Sequence, residues 1–379
     1  MVCFGVSPKR LFLALLVCAF GARASTVYAI KDLGGLGGNS AALALNNSGL
    51  AVGYSTSALG DMNATSFSGQ SASSLGFEGQ ATGVNNSGVV AGTSWSGGQA
   101  QAVTSNNGHT TALAGLGGSD SYASSINASG QVAGSAMLSS GTAHAAVWSN
   151  GHVADLGTLG GDWSAAMAIN SSGQTVGTSQ MGDGAFEAFF APGSGSMRAI
   201  GTLGGRFSYG MGINDSSEVV GSAQTAAGYS HAFSWTESGL RDLGTLGGTQ
   251  SYAYGVNNAG AVVGYSYTDR GSSHGFVYVD GVMLDLNNLL PISSDWTISQ
   301  AFAINNSGVI AGIGISNGME HAIELLPQLS GAGANSPIQG TATPEPGVSS
   351  LLCLGTVLIG SSWFLTRLSQ LRSERGRSH

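Results

Sequence analysis

Apolar and polar residues alternate along most of this chain in short runs, each broken by a turn. Tyr252–Val256 and Ala261–Tyr265 have strand composition and flank Asn257-Asn258-Ala259-Gly260. In His231-Ala232-Phe233-Ser234-Trp235, residues two apart share one face of a strand, so His231, Phe233 and Trp235 point the same way. Runs of this kind predict many short strands joined by tight turns.

The runs repeat. An asparagine turn recurs at Asn46, Asn85, Asn127, Asn170, Asn214, Asn257 and Asn305, spaced by 39, 42, 43, 44, 43 and 48 residues. Asparagine accepts a hydrogen bond from a backbone N–H two residues on, and a glycine three residues on can take the left-handed conformation that closes a hairpin. Seven residues after each asparagine stands a further glycine, from Gly53 to Gly312. A third strand follows each hairpin, clearest at His144–Trp148 and His231–Trp235. Related segments are Asn63–Phe67, Gln101–Ser105, Glu187–Ala191, His274–Tyr278 and His321–Leu325. A fourth element reads Asp155-Leu156-Gly157-Thr158-Leu159-Gly160-Gly161 and recurs from Asp242. Variants begin at Asp32, Ala112, Ala199 and Asp285, with a degraded copy near Ser73–Gly76.

Four strands in about 43 residues is the size of a propeller blade. The first element, at Asp32, is of the fourth type, and the last, at His321, is of the third. The leading strand can therefore complete the unfinished final sheet. The fold expected is all-β: a seven-bladed β-propeller closed by its N-terminal strand. The other architecture consistent with the repeats is an open β-solenoid, which needs capping repeats that the sequence does not display.

Composition sharpens this picture. The 379 residues include 62 glycines, and only 8% are charged although 42% are hydrophobic. Between residues 25 and 340 there are five basic residues against eighteen acidic ones, a formal −13. Such a body carries no basic patch to neutralise phosphates, so nucleic acid is not an expected partner. The three cysteines, Cys3, Cys18 and Cys353, all lie in the apolar ends. A disulfide framework, a cysteine-ligated zinc and a cysteine nucleophile are thereby excluded from the central region.

Both ends read as addresses. Residues 1–24 have a basic start (Lys9, Arg10), an apolar core (Leu11–Phe20) and the small-residue pattern Ala22-Arg23-Ala24. They predict a secretory signal cleaved between Ala24 and Ser25. Residues 326–343 are small and polar and read as a flexible spacer. Val348–Thr366 is a stretch of 19 residues without formal charge, followed by Arg367, Arg372, Arg375 and Arg377. It predicts one C-terminal transmembrane helix, with the basic tail cytoplasmic and the central region outside. The order Pro344-Glu345-Pro346, apolar helix, arginine cluster resembles the PEP-CTERM sorting signal of Gram-negative bacteria. That resemblance covers roughly residues 342–379, with the sorting signal itself at 344–379, and implies processing by an exosortase-type enzyme and a link to exopolysaccharide.

Candidate chemistry is sparse. His144, His231, His274 and His321 occupy equivalent places, shared by Asn63, Gln101 and Glu187 in the other copies. They form either a polar ring that binds a ligand or metal, or one hydrogen bond repeated in every blade. The aspartates Asp32, Asp155, Asp242 and Asp285 fit turn or strand-end acceptors. No calcium repeat occurs. Two breaks in the repeat, Ser68–Gln80 and Asn287–Gln300, are where chemistry could sit; the second holds Asp295 and Trp296.

The tripeptide His231-Ala232-Phe233, the asparagine turns and the Asp-Leu-Gly-Thr-Leu-Gly-Gly stretches resemble the HAF-repeat family of bacterial extracellular proteins. Gln101, Glu187 and Asn63 depart from its histidine. The resemblance implies location and architecture more than activity. The expectation is a 25–325 repeat body, exported, anchored by its C-terminal helix before processing and then held at the cell surface or in the extracellular matrix. It would act as a non-enzymatic binding or structural module, without a cofactor, with extracellular polysaccharide as a candidate partner. The alternative is an exported propeller enzyme acting on glycans.

Overall fold

The computed structural model describes residues 26–193 and 196–329. Among them are 27 strands and one short 3₁₀ helix, Leu286–Leu289. The fold is all-β. The strands form six sheets, five of four strands and one of seven, and consecutive strands pair antiparallel.

The recurring hairpins follow the turn chemistry. At Asn170, Oδ1 accepts the N–H groups of Ser172 (3.1 Å) and Gln174 (3.0 Å), and Gly173 closes the turn at φ 76°. The fifth copy has Ser217 at that left-handed place, φ 65°. Such a backbone costs a non-glycine residue roughly 1–2 kcal/mol. Ser217 offsets part of it by donating its hydroxyl to Gln174 Oε1 of the preceding repeat at 2.6 Å.

The second recurring glycine has a different cause. Each strand leading into an asparagine turn carries a β-bulge three residues before the asparagine. The ladder skips Ser124 between Ala123 and Ser125, and skips Tyr254 between Ala253 and Gly255. The bulge pushes a carbonyl towards the opposite strand. A Cβ at Gly134 would overlap the Tyr122 carbonyl oxygen, and one at Gly221 that of Tyr209. Only glycine fits there.

The seven-stranded sheet contains a correction. Ser68–Gln80, expected as a break in the repeat, lies almost wholly within the 14-residue strand Ser71–Val84. Its first half pairs with Met62–Ser68 and its second half with Val90–Ser96. One strand thus ends one group of four and begins the next. The degraded fourth element near Ser73–Gly76 is its first half; that the same strand runs on into the next repeat was hidden, because its apolar content is low until Phe77.

The first strand, Thr26–Asp32, pairs with the last, Met319–Leu329, from Thr26 opposite Leu329 to Asp32 opposite Ile323. Together with Thr297–Ile304 and Ile310–Ser316 they make one four-stranded sheet. Lys31 Nζ meets Glu324 at 2.8 Å inside this pair, and Glu324 is 3% exposed. The core lies between neighbouring groups of strands. Val176, Ala188 and Phe190 of the fourth repeat pack on Val219, Phe233 and Trp235 of the fifth. Leu33, Ala42, Ala51 and Phe67 pack in the same way on Ala311 and Ala322 near the other end of the chain. Phe233 is fully buried, which stabilises by roughly 1.5–3 kcal/mol relative to exposure.

Candidate functional site

The seven asparagine turns come together. Each turn asparagine is buried, and each uses both ends of its carboxamide. Oδ1 caps its own turn, while Nδ2 donates to the backbone carbonyl of the next turn asparagine. Asn46 donates to Asn85 O at 2.9 Å, Asn85 to Asn127 O at 3.2 Å, and Asn127 to Asn170 O at 3.0 Å. Asn170, Asn214 and Asn257 continue the series. Asn305 then donates to Asn46 O at 3.2 Å, across 259 residues of sequence. Seven hydrogen bonds thus form one cycle. All seven asparagines stand where they were expected. Their link from repeat to repeat was not legible in the sequence.

The residue after each asparagine is exposed and makes a second, incomplete series. Asn306 N donates to Asn47 Oδ1, and Asn47 N to Asn86 Oδ1, both at 3.0 Å. Ser171 N, Asp215 N and Asn258 N donate to Asp215, Asn258 and Asn306 in the same way. The third copy has Ala128, which offers no side-chain acceptor. Hydrogen bonds from Ser171 hold the Asp215 carboxyl below the usual carboxylate range; partial burial opposes them, and a further bond from Asn258 assists. The turns surround a mouth of about 250 Å³ whose walls are mainly polar.

The four histidines sit elsewhere. Each faces, through Nδ1, the aspartate of its own sheet's outermost strand. His144 meets Asp155 at 2.9 Å, His231 meets Asp242 at 2.9 Å, and His274 meets Asp285 at 2.7 Å. His321 meets Asp32 at 3.2 Å. The same aspartates accept a backbone N–H two residues on, as Asp155 does from Gly157 at 2.8 Å. They therefore serve as the turn acceptors expected of them and as partners of the histidines. The second copy has Ala112 in the aspartate's place, and there Gln101 Nε2 donates to the Leu113 carbonyl at 2.8 Å and to Ser121 Oγ at 3.1 Å. Burial works to raise the Asp285 carboxyl, but the bond and charge of His274 and two bonds from Asn287 outweigh it. Its pKa lies below the ordinary value.

In the second expected break, Asn287 ties the segment down by donating to the Ile298 carbonyl and accepting from Ile298 N. Trp296 packs against the core there, edge-on to His321 at 5.2 Å between ring centres, while Asp295 is exposed. A tyrosine cluster that sequence reasoning missed lies in the sixth repeat. Tyr265 stacks on Tyr252 at 4.9 Å and on Tyr254 at 5.9 Å, and burial raises the pKa of both Tyr254 and Tyr265. Only the aromatic density of Tyr252–Tyr267 could have signalled it.

Among the described residues there is no group of three or more His, Cys, Asp or Glu placed to hold a metal ion. Among them, too, no helix is long and apolar enough to cross a membrane. Ala24, Ser25, Pro344, Glu345, Pro346 and the expected helix 348–366 lie outside the described residues.

No family model matches the chain, and no curated protein matches it. Solved structures of similar shape include TolB from Acinetobacter baumannii, at 12% identity and TM-score 0.39 over 73% of this chain. The chain spans 63% of the length of that protein. The BP39L lectin from Burkholderia pseudomallei is similar at 10% identity and TM-score 0.39, over 79% of this chain and 98% of the lectin. XC5397 from Xanthomonas campestris, a gluconolactonase, is similar at 12% identity and TM-score 0.36, over 64% of this chain and 90% of that one.

Proposed function

We propose that this chain is an exported, seven-bladed β-propeller, closed by its N-terminal strand, that acts as a non-enzymatic binding or structural module of the cell envelope or exopolysaccharide matrix. One observation carries the architectural half: the cycle of seven asparagine hydrogen bonds that leaves Asn305 and returns to Asn46. The pairing of Thr26–Asp32 with Met319–Leu329 supports it, since this supplies the fourth strand that the last sheet would otherwise lack. Fixed polar turns around a central mouth make a rigid surface, and rigidity favours recognition because little ordering remains to be done on binding.

The export half rests on the sequence. Residues 1–24 have the pattern of a signal peptide, and residues 344–379 that of a PEP-CTERM tail, within a chain of HAF-repeat type. An exosortase-type enzyme is the partner this reading requires, and the destination is the surface or matrix of a Gram-negative cell. The histidines and aspartates support a non-catalytic role, because they are used to tie strand to strand.

Glycan arrays and pull-downs from envelope and matrix fractions with the purified chain test the reading. Saturable retention without turnover is expected. Hydrolysis of a bound glycan, or no retention together with unchanged surface texture on deletion of the gene, overturns it. Mass spectrometry of the mature protein tests both cleavage expectations.

A further inference from the structure

The central mouth is not uniform around its rim. Following the hydrogen-bond cycle, the seventh, first and second repeats present Asn306, Asn47 and Asn86. Each accepts a neighbour's N–H through Oδ1 or backs onto one that does, and among the described residues none of the three uses its Nδ2. The third repeat presents Ala128. With no side-chain oxygen there, the Asn86 N–H lacks the acceptor that every Asn-to-Asn step has, and the Ala128 N–H lacks one as well. One arc of the rim is therefore rich in unused donors.

The fifth repeat presents the rim's single carboxylate, Asp215. Three and four steps round the cycle lie Asn47 and Asn86, so the donors and Asp215 face each other across the mouth. Asp215 already accepts Ser171 N at 3.0 Å, the Ser171 hydroxyl and Asn258 Nδ2 at 2.8 Å. A carboxylate has about four lone-pair sites, so roughly one remains for a ligand.

We infer that this mouth binds one neutral, hydroxyl-rich ring, a hexopyranose unit, with hydroxyl oxygens accepting from Asn47, Asn86 and the Ala128 arc and one hydroxyl proton donated to Asp215. This rests on the binding reading above and names its ligand class and place. The physical reasons select the class. A hydroxyl both donates and accepts, so it suits a rim with donors on one side and an acceptor on the other. A cation would meet amide donors on the far wall. An anion would meet Asp215, on a chain of net charge −8. The space, about 250 Å³, is below the ~300–1,000 Å³ of pockets that enclose drug-sized ligands, so one ring enters and not an oligosaccharide. A shallow polar site of this kind binds weakly, with Kd on the order of 1 mM.

The test uses the full chain with methyl glycosides of glucose, galactose and mannose and with glucuronate. Saturation-transfer NMR and calorimetry read the binding. Two variants address the rim. Asp215→Asn keeps an oxygen for Ser171 N but removes the charged acceptor. Ala128→Asp gives the Asn86 N–H its missing partner, as Asp215 does for Ser171 N, and adds no donor to the arc. At least one neutral glycoside should bind, and each variant should weaken it about tenfold or more. The Tm of Ala128→Asp should be unchanged or higher, which separates a lost ligand from a lost fold. Absence of binding by every neutral glycoside, stronger binding of glucuronate, or affinity unaltered by both variants overturns the inference. If both variants still retain matrix glycans like the parent chain, recognition lies elsewhere on the body. The mouth inference then fails while the proposed function stands.

Discussion

His321, near the end of the described chain, meets Asp32, near its start, through the same Nδ1–carboxylate contact that His231 makes with Asp242 eleven residues further on. The pairing at Asp32 spans 289 residues. In the three sheets built from continuous chain the distances are 2.7–2.9 Å, and in this sheet 3.2 Å. A strand brought from the far end thus reproduces the local contact of the internal repeats.

The buried Lys31–Glu324 pair should set the strength of that junction. Lys31→Met leaves the Glu324 carboxylate enclosed without its partner, and we expect a loss of about 3 kcal/mol in urea unfolding. This is the lower end of the range for buried pairs, since the Lys31 side chain keeps 29% of its exposure. Replacing both residues by apolar ones should recover most of the loss. A double variant as unstable as Lys31→Met would show that the pair is not the cause.

Asn170→Ala removes two caps on its own turn, the bond to Gln174 Oε1 and the donor to Asn214 O. At about 1 kcal/mol for each hydrogen bond the loss should be about 4 kcal/mol. Because the lost donor links two repeats, hydrogen exchange should rise in the fourth and fifth together. Exchange raised in the fourth repeat alone would mean that the turns are energetically independent.

Gly221→Ala should cost about 3 kcal/mol or more, because its Cβ has no room beside the Tyr209 carbonyl and presses on the Phe233 ring. Gly182→Ala serves as the comparison: its Cβ meets only the Gly160 oxygen at 3.6 Å. It should leave stability within about 0.5 kcal/mol or raise it slightly. Thermal melts of the two variants are sufficient to compare them.

Asp285 gives a pH dependence of known sign. Its pKa is lowered in the folded chain, so its contribution is full above the unfolded value of about 3.9 and is lost as pH falls through the lower folded value. Asp285→Asn should therefore be less stable than the parent at pH 5, with the gap narrowing below about pH 4. A gap that stays constant down to pH 2 would contradict the assignment.

The sequence made the repeat, its seven asparagines and its strand order legible, because a capped turn leaves a fixed residue at a fixed place. The leading strand was legible for a different reason: Asp32 carries the fourth-element pattern with no copy of the first three elements' pattern ahead of it in the sequence. What stayed hidden were the contacts between repeats. The bulge three residues before each asparagine is occupied by Leu43, Thr82, Ser124, Met167, Met211, Tyr254 and Phe302, which share no chemistry. Its signature is the glycine on the opposite strand, which a linear reading finds without knowing why. The donor role of each asparagine was hidden likewise, since its acceptor lies in another repeat. The partners of His144, His231 and His274 lay eleven residues away in plain view, yet pairing them required the register of the third and fourth strands.

Thr26 lies directly opposite Leu329 in an antiparallel ladder. A pull applied to these two residues in opposite directions would load the ladder one hydrogen bond at a time, as a zip is opened, and not all seven residue pairs at once. The junction that completes the last sheet is therefore the seam that such a pull loads first, however firm it is at rest. A body tethered through one of these ends alone avoids that load, whereas one stretched between two anchors opens there first.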